Sequence, residues 1–231
     1  MKIIKASCNG NSFLYIEHEY YNQINIKEIC NKFNYDCDGV FFFHESKKGN
    51  YCINLFNKDG SVATFCGNGL ICFAKIFMKD NSKTNIYFNK KKYLLVKEEN
   101  EVFLRIPKII FFKKIENDLY LLNIGNNHLI RVVENIDLSN FKKDVKSYPN
   151  NNVSQLIIKD KVFIKTFERG VGFTTSCGSA AISAYYLLRK INKDNSINDI
   201  FSQGGVTNIL NRKGEMFITG KVEIMNSYET K

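Results

Sequence analysis

Two short segments, Thr64-Phe65-Cys66-Gly67-Asn68 and Thr175-Ser176-Cys177-Gly178-Ser179, set a cysteine in the same local context nearly half a chain apart. Apolar residues take up helical spacing after each one. Leu70, Phe73, Ala74 and Phe77 follow Cys66 at i, i+3, i+4 and i+7, and the run Ala180 to Leu188 follows Cys177. Both stretches are apolar on most sides, so each predicted helix must be covered over most of its surface. Around them lie short β-rich runs punctuated by turn residues, which suit a curled sheet wrapped about each helix. The pattern constrains the 231 residues to two related halves of the α/β (α+β) class.

The turn signals sharpen this outline. Asn9-Gly10-Asn11 separates two alternating runs, Ile3 to Ala6 and Phe13 to Ile16, and Lys58-Asp59-Gly60 follows the run Ile53 to Phe56. Ile26 to Phe33 has helical spacing. Hairpins are expected over 93–106 and 156–167, and the segment from Phe201 onward reads as strands broken at Gly204-Gly205 and Lys213-Gly214. No linker rich in Pro, Gly or Ser interrupts the chain. A boundary is expected near 107–117, after Pro107, giving halves of 1–114 and 115–221.

Composition excludes several classes. The net charge of +10 invites a nucleic-acid reading, yet only five of the 33 basic residues are Arg, and the lysines are scattered. That is a solvated surface rather than a nucleic-acid module, though a positive field helps to gather an acidic small molecule. No apolar run approaches the roughly 18 residues of a membrane span, and the N-terminus lacks the apolar core of a secretory signal. The cytoplasm is the expected location. The seven cysteines are therefore expected to be reduced thiols. There is no C-x-x-C pair, and the three His are far apart in sequence, so no metal site is expected.

A thiol titrates near 8.5 and is a poor base at neutral pH. A helix N-terminus favours the thiolate, because its unpaired N–H groups and positive dipole end face the sulfur. Those N–H groups also suit a carboxylate. A base beside an anion site fits removal of the proton next to a bound carboxylate, with the N–H groups stabilising the enolate-like charge. One such cysteine alone reads as a buried, inert thiol. The repeated context reverses that reading, since inversion at carbon needs one group to take a proton from one face and another to supply one to the opposite face.

The motifs around the cysteines carry a resemblance along nearly the whole chain. Gly10-Asn11-Ser12-Phe13, Asp38-Gly39, Phe56-Asn57-Lys58-Asp59-Gly60-Ser61 and Cys66-Gly67-Asn68-Gly69 occur in the first half. Gly125-Asn126-Asn127-His128, Asn152-Val153, Glu168-Arg169-Gly170 and Cys177-Gly178-Ser179 occur in the second. In this order they resemble the diaminopimelate epimerase family, cofactor-independent amino-acid epimerases of lysine and peptidoglycan biosynthesis. The resemblance implies two pseudo-symmetric domains, each a strongly curved, mostly antiparallel sheet around a central helix, with the active site in the cleft between them. It also implies that residues 222–231 return to the first domain, that no cofactor is used, and that the enzyme is a homodimer acting on a small amino acid. By position, Cys66 and Cys177 resemble the acid–base pair. Gly67, Asn68, Gly178 and Ser179 resemble the clamp on the reacting carboxylate, and Glu168 with the backbone near Arg169 resembles the group holding the reacting amine. Asn11, Asn57, Asn126, Asn152 and the Arg169 side chain resemble the ring that holds the rest of the substrate.

The chain departs from the family pattern at Ser12, at Asn127 in place of Pro, at Phe173 in place of Glu, and at Ala180 after the second C-G-S. None removes a proposed acid or base. Together they bear on the substrate, leaving open a relative that acts on lanthionine, histidine or proline. A non-catalytic binding protein or a thiol redox protein on the same scaffold is the alternative from another class.

Overall fold

Asn9 and Gly10 both take up left-handed backbone conformations, with φ of 52° and 78°. Two consecutive residues of that kind are what a two-residue hairpin turn requires, and they join β1 (Lys2–Cys8) to β2 (Asn11–Glu17). The computed structural model describes residues 1–229 except 33–36, 47–48, 64, 89–90, 107 and 192–195, and the side chains of 31 and 32. Thr64 of the first cysteine motif, Phe33 at the end of the first expected helix, Pro107 at the expected boundary, and residues 230–231 therefore lie outside the described residues.

After β2, a 3-10 turn (His18–Gln23) and the helix α1 (Ile26–Lys32) lead to β3 (Gly39–Glu45) and β4 (Tyr51–Asn57). Then come α2 (Gly67–Phe77), β5 (Ser82–Phe88), β6 (Lys91–Glu98) and β7 (Glu101–Arg105). Next are β8 (Phe111–Glu116), β9 (Leu119–Asn123), β10 (Asn127–Val133), α3 (Leu138–Ser147), β11 (Asn152–Ile158) and β12 (Val162–Glu168). The chain continues through β13 (Gly172–Thr174), α4 (Gly178–Lys190), β14 (Asp199–Ser202), β15 (Gly205–Arg212) and β16 (Glu215–Thr219) to β17 (Val222–Glu229).

Two compact units result, one of Met1–Arg105 with Thr219–Lys231, the other of Ile106–Ile218. The first boundary lies before the expected 114/115, because β8, which begins at Phe111, is the antiparallel partner of β9 and belongs with it. The second lies just before the expected 221/222.

In the first unit the strands pair in the order β17–β1–β2–β3–β4–β5–β6–β7, with β2/β3 and β4/β5 parallel and the rest antiparallel. Helix α2 packs on β1, β2, β6, β7 and β17. Strands from both ends of the order thus touch one helix, so the sheet curls around it. Leu70, Ile71, Cys72, Phe73 and Ala74 are buried on every side, as their unbroken apolar run foretells. Aromatic rings fill the space between: Phe41 stacks on Tyr15 with centroids 5.0 Å apart and meets Phe13 edge-on at 5.4 Å. Such pairs contribute about 0.5–1.5 kcal/mol each beyond burial.

The second unit follows the same succession. Its strands pair as β8–β9–β10–β11–β12–β14–β15, with β10/β11 and β12/β14 parallel, and β13 lies beside the end of β12. Helix α4 packs on β9, β10, β11, β12, β14 and β15. In each unit a hairpin crosses over to a parallel strand, a second hairpin ends in the cysteine segment, and the central helix leads to another parallel strand.

β8, β10 and β13 are strands the sequence reading did not give, and helix α3 is a helix it missed. Asp137 caps it by accepting the N–H groups of Ser139 and Asn140 at 2.9 and 3.2 Å. Its inner face carries the fully buried Phe141 and the buried Asp144, whose carboxylate receives Arg131 Nε at 2.7 Å and Nη2 at 2.8 Å.

Candidate functional site

Each unit presents its cysteine at the same structural station, the N-cap of its central helix. Cys66 has extended backbone (φ −147°, ψ 101°), and its Sγ accepts the Gly69 N–H at 3.4 Å. That is the contact a serine or aspartate hydroxyl or carboxyl normally makes there. Gly67 and Asn68 form the first turn of α2 and are buried. No acidic residue stands in that turn, so the positive end of the helix faces the sulfur without a competing charge.

Gly69 is fixed from two sides. Its carbonyl accepts the Tyr15 hydroxyl at 2.8 Å, and the space beside its Cα is filled by the Phe41 ring. Burial pushes the Tyr15 phenol well above its ordinary range, so it stays a donor at any working pH.

In the first unit Asn11 is oriented directly by a carboxylate and Asn57 by a serine hydroxyl that a carboxylate holds. Asn11 opens β2 and donates through Nδ2 to Asp38 Oδ2, which also accepts the Ser12 N–H at 2.8 Å. Asn57 closes β4 and donates through Nδ2 to Ser61 Oγ at 2.9 Å. Ser61 in turn donates its hydroxyl to Asp59 at 2.6 Å, and this bond holds the Asp59 carboxyl below its ordinary range. Asp38 and Ser61 stand in the quoted motifs, but nothing in the sequence assigned them this orienting work.

In the second unit Cys177 caps α4 (φ −140°, ψ 108°), and its Sγ lies 3.3 Å from Ser179 Oγ. Here the expected drop in thiol pKa does not occur. Burial pushes the thiol well up, the Glu168 carboxylate adds to the rise, and the Ser179 hydroxyl and Ala180 N–H offset only part of it. Glu168, the last residue of β12, accepts the Thr174 hydroxyl at 2.8 Å. Cys177 is accordingly held as a thiol.

His128 gathers the other predicted residues of this unit. The parallel register of β10 and β11 sets it opposite Asn152. Its Nε2 lies 2.9 Å from Ser179 Oγ, 3.2 Å from Asn126 Oδ1 and 3.4 Å from Asn152 Nδ2. Asn126 Nδ2 also donates to Ser179 Oγ at 3.2 Å. Asn152 Oδ1 accepts the backbone N–H of Arg169 at 3.0 Å, and Arg169 itself is exposed. The structure thus brings Asn126, Asn152 and Ser179 around one imidazole, with Cys177 against Ser179, Glu168 beside the sulfur and Gly178 in the first turn of α4. The resemblance sets His128 at a position near the site, with a satisfied loop histidine as the equal reading; its burial follows from strand pairing.

Burial lowers the His128 pKa from its ordinary 6.5 to about 3. The ring is expected to remain neutral on titration from pH 8 to 5, with an unchanged ¹⁵N spectrum. A spectrum that turns imidazolium-like near pH 6.5 would contradict this burial. The sign for stability follows: the unfolded chain takes up this proton first, so the contribution is present above pH 6.5 and is lost as pH falls toward 3.

Among the described residues, no group of three or more His, Cys, Asp or Glu is placed to hold a metal ion, and no helix is long and apolar enough to cross a membrane.

No family model matches the chain. It is similar to the diaminopimelate epimerase of Clostridium acetobutylicum, 28% identical over 89% of this chain and 76% of that one. It is also similar to the diaminopimelate epimerase of Pelagibacter ubique, 25% identical over 100% of this chain and 99% of that one. Among solved structures, a phenazine biosynthesis protein of the PhzF family from Bacillus anthracis superposes with a TM-score of 0.71, covering 100% of this chain and 99% of that one at 14% identity. A probable proline racemase from Agrobacterium radiobacter gives 0.67, covering 100% and 92% at 11% identity. These structures share the α+β fold, and the named sequence relatives are isomerases. The chain is an isomerase related in sequence to the diaminopimelate epimerases.

Proposed function

We propose that the chain is a cofactor-independent epimerase that interconverts L,L- and meso-diaminopimelate. The observation that carries this reading is the cysteine-capped helix, repeated at the same station in each unit. The names of the sequence relatives support the substrate.

In this mechanism one sulfur, as thiolate, removes the proton from the α-carbon while the other, as thiol, supplies one to the opposite face, and the roles exchange with direction. Cys177, held protonated by burial and Glu168, is the acid of the resting enzyme, and Cys66 is the base. The N–H groups of Gly67, Asn68, Gly178 and Ser179 clamp the carboxylate and stabilise the enolate-like charge. Glu168 receives the reacting amine. Asn11, Asn57, Asn126, Asn152 and the exposed Arg169 guanidinium hold the distal end, where a guanidinium suits a bidentate grip on carboxylate.

The test is turnover of diaminopimelate by the reduced protein in heavy water, followed by chiral chromatography and mass spectrometry. Inverted product carrying one deuterium at the α-carbon is expected. If neither exchange nor inversion occurs, the reading fails. If lanthionine, histidine or proline is inverted instead, the substrate assignment fails and the reaction type stands.

A further inference from the structure

Ser179 Oγ has three side-chain neighbours: His128 Nε2 at 2.9 Å, Asn126 Nδ2 at 3.2 Å and Cys177 Sγ at 3.3 Å. A hydroxyl owns one hydrogen and two lone pairs, so the directions of these contacts can be worked out. The Asn126 amide nitrogen only donates, and it fills one lone pair. What His128 does depends on which ring nitrogen carries the hydrogen.

The ring is fully buried and neutral, and its Nδ1 has no partner. A buried N–H without an acceptor is rarer and costlier than a buried acceptor without a donor. The hydrogen therefore sits on Nε2, where Ser179 Oγ and Asn126 Oδ1 both accept it. Asn152 Nδ2, also a donor, keeps the longest of the Nε2 distances, 3.4 Å. Both lone pairs of Ser179 are then filled, and the acceptor that remains for its hydrogen is the sulfur of Cys177.

We propose that Ser179, its hydroxyl aimed by His128 and Asn126, is the hydrogen-bond donor that stabilises the thiolate form of Cys177. The inference rests on the proposed acid–base role of that cysteine. When Cys177 gives its proton to carbon, the charge left on sulfur meets an O–H already turned toward it, and no proton leaves the serine. The hydroxyl is thereby withdrawn from the substrate's carboxylate, which is left with the backbone N–H. His128 is a positioning residue that acts through the serine without becoming charged.

The test needs no substrate. Alkylation of Cys177 by iodoacetamide is followed from pH 7 to 11 by peptide mass spectrometry, with Cys66 read in the same digests. A hydrogen bond to a charged acceptor corresponds to about one to two pKa units. Ser179→Ala is expected to raise the Cys177 midpoint by about that much and to leave Cys66 unmoved, whereas Ser179→Thr keeps the original midpoint. Asn126→Ala and His128→Leu, each freeing the hydroxyl to turn, are expected to raise it part of the way, and His128→Gln, which retains an N–H donor, is expected to restore it. An unmoved midpoint in Ser179→Ala overturns the proposal. Unmoved midpoints in Asn126→Ala and folded His128→Leu overturn the aiming. Because the readout is independent of turnover, a shift without diaminopimelate epimerisation sinks the functional reading alone.

Discussion

Cys66→Ser and Cys177→Ser are each expected to lower epimerisation by about 10³-fold or more while leaving the fold intact. The magnitude is that of losing a general acid or base. A serine hydroxyl ionises far above the thiol range, so it offers almost no anion to remove a proton and is a weaker acid to supply one. The fold should tolerate the change because both residues are N-caps, where serine is among the best formers. Cys66 already accepts the Gly69 N–H through its sulfur, and an oxygen there makes a stronger cap. Circular dichroism should superpose on the parent, and the melting temperature should stay level or rise. The discriminating measurement is epimerisation of diaminopimelate by each folded variant. Activity close to the parent in both would dismiss a two-thiol mechanism.

Gly69→Ala is expected to cost at least about 3 kcal/mol of stability, at the upper end for an overpacked core. An added Cβ would stand 2.2 and 2.4 Å from two carbons of the Phe41 ring. Phe41 cannot swing aside: it is fully buried, stacked on Tyr15 and met edge-on by Phe13. Nor can the helix retreat easily, since the Gly69 carbonyl is tied to the Tyr15 hydroxyl. Urea denaturation gives the free energy directly. Gly69→Ala combined with Phe41→Leu should recover part of the loss, because the shorter side chain vacates the space. A single variant as stable as the parent would show that the ring moves freely.

The central helices were legible because their signals are local. Each begins with an extended cysteine followed by glycine, and each continues as an apolar run that only a covered helix explains. Helix α3 has the same kind of signal, Asp137 ahead of Leu138, Phe141 and Val145, diluted by the polar residues between them. The orienting partners were illegible for a different reason. Asp38 reaches Asn11 across a parallel strand pair, and His128 meets Ser179 through strand-to-helix packing. Neither juxtaposition leaves a periodic trace, although both residues sit in motifs that carry the resemblance. The pKa of Cys177 was misjudged for a related reason. The helix terminus is visible in the sequence, but the burial that outweighs it is a property of the packed unit.

The pairing of β1 with β17 has a consequence for synthesis. Lys2 lies opposite Glu229 and Cys8 opposite Val222, so β1 is flanked by a strand synthesised more than 200 residues after it. On the ribosome, β1 can take up β2 at once through its tight turn, but its other edge stays open until β17 emerges. The unit that starts first is therefore finished second, and the intervening Ile106–Ile218 is free to fold ahead of it. Through that interval an edge of Ile3, Ile4 and Ala6 is open to pairing with other chains, and the rate of translation of the second unit sets how long it stays so.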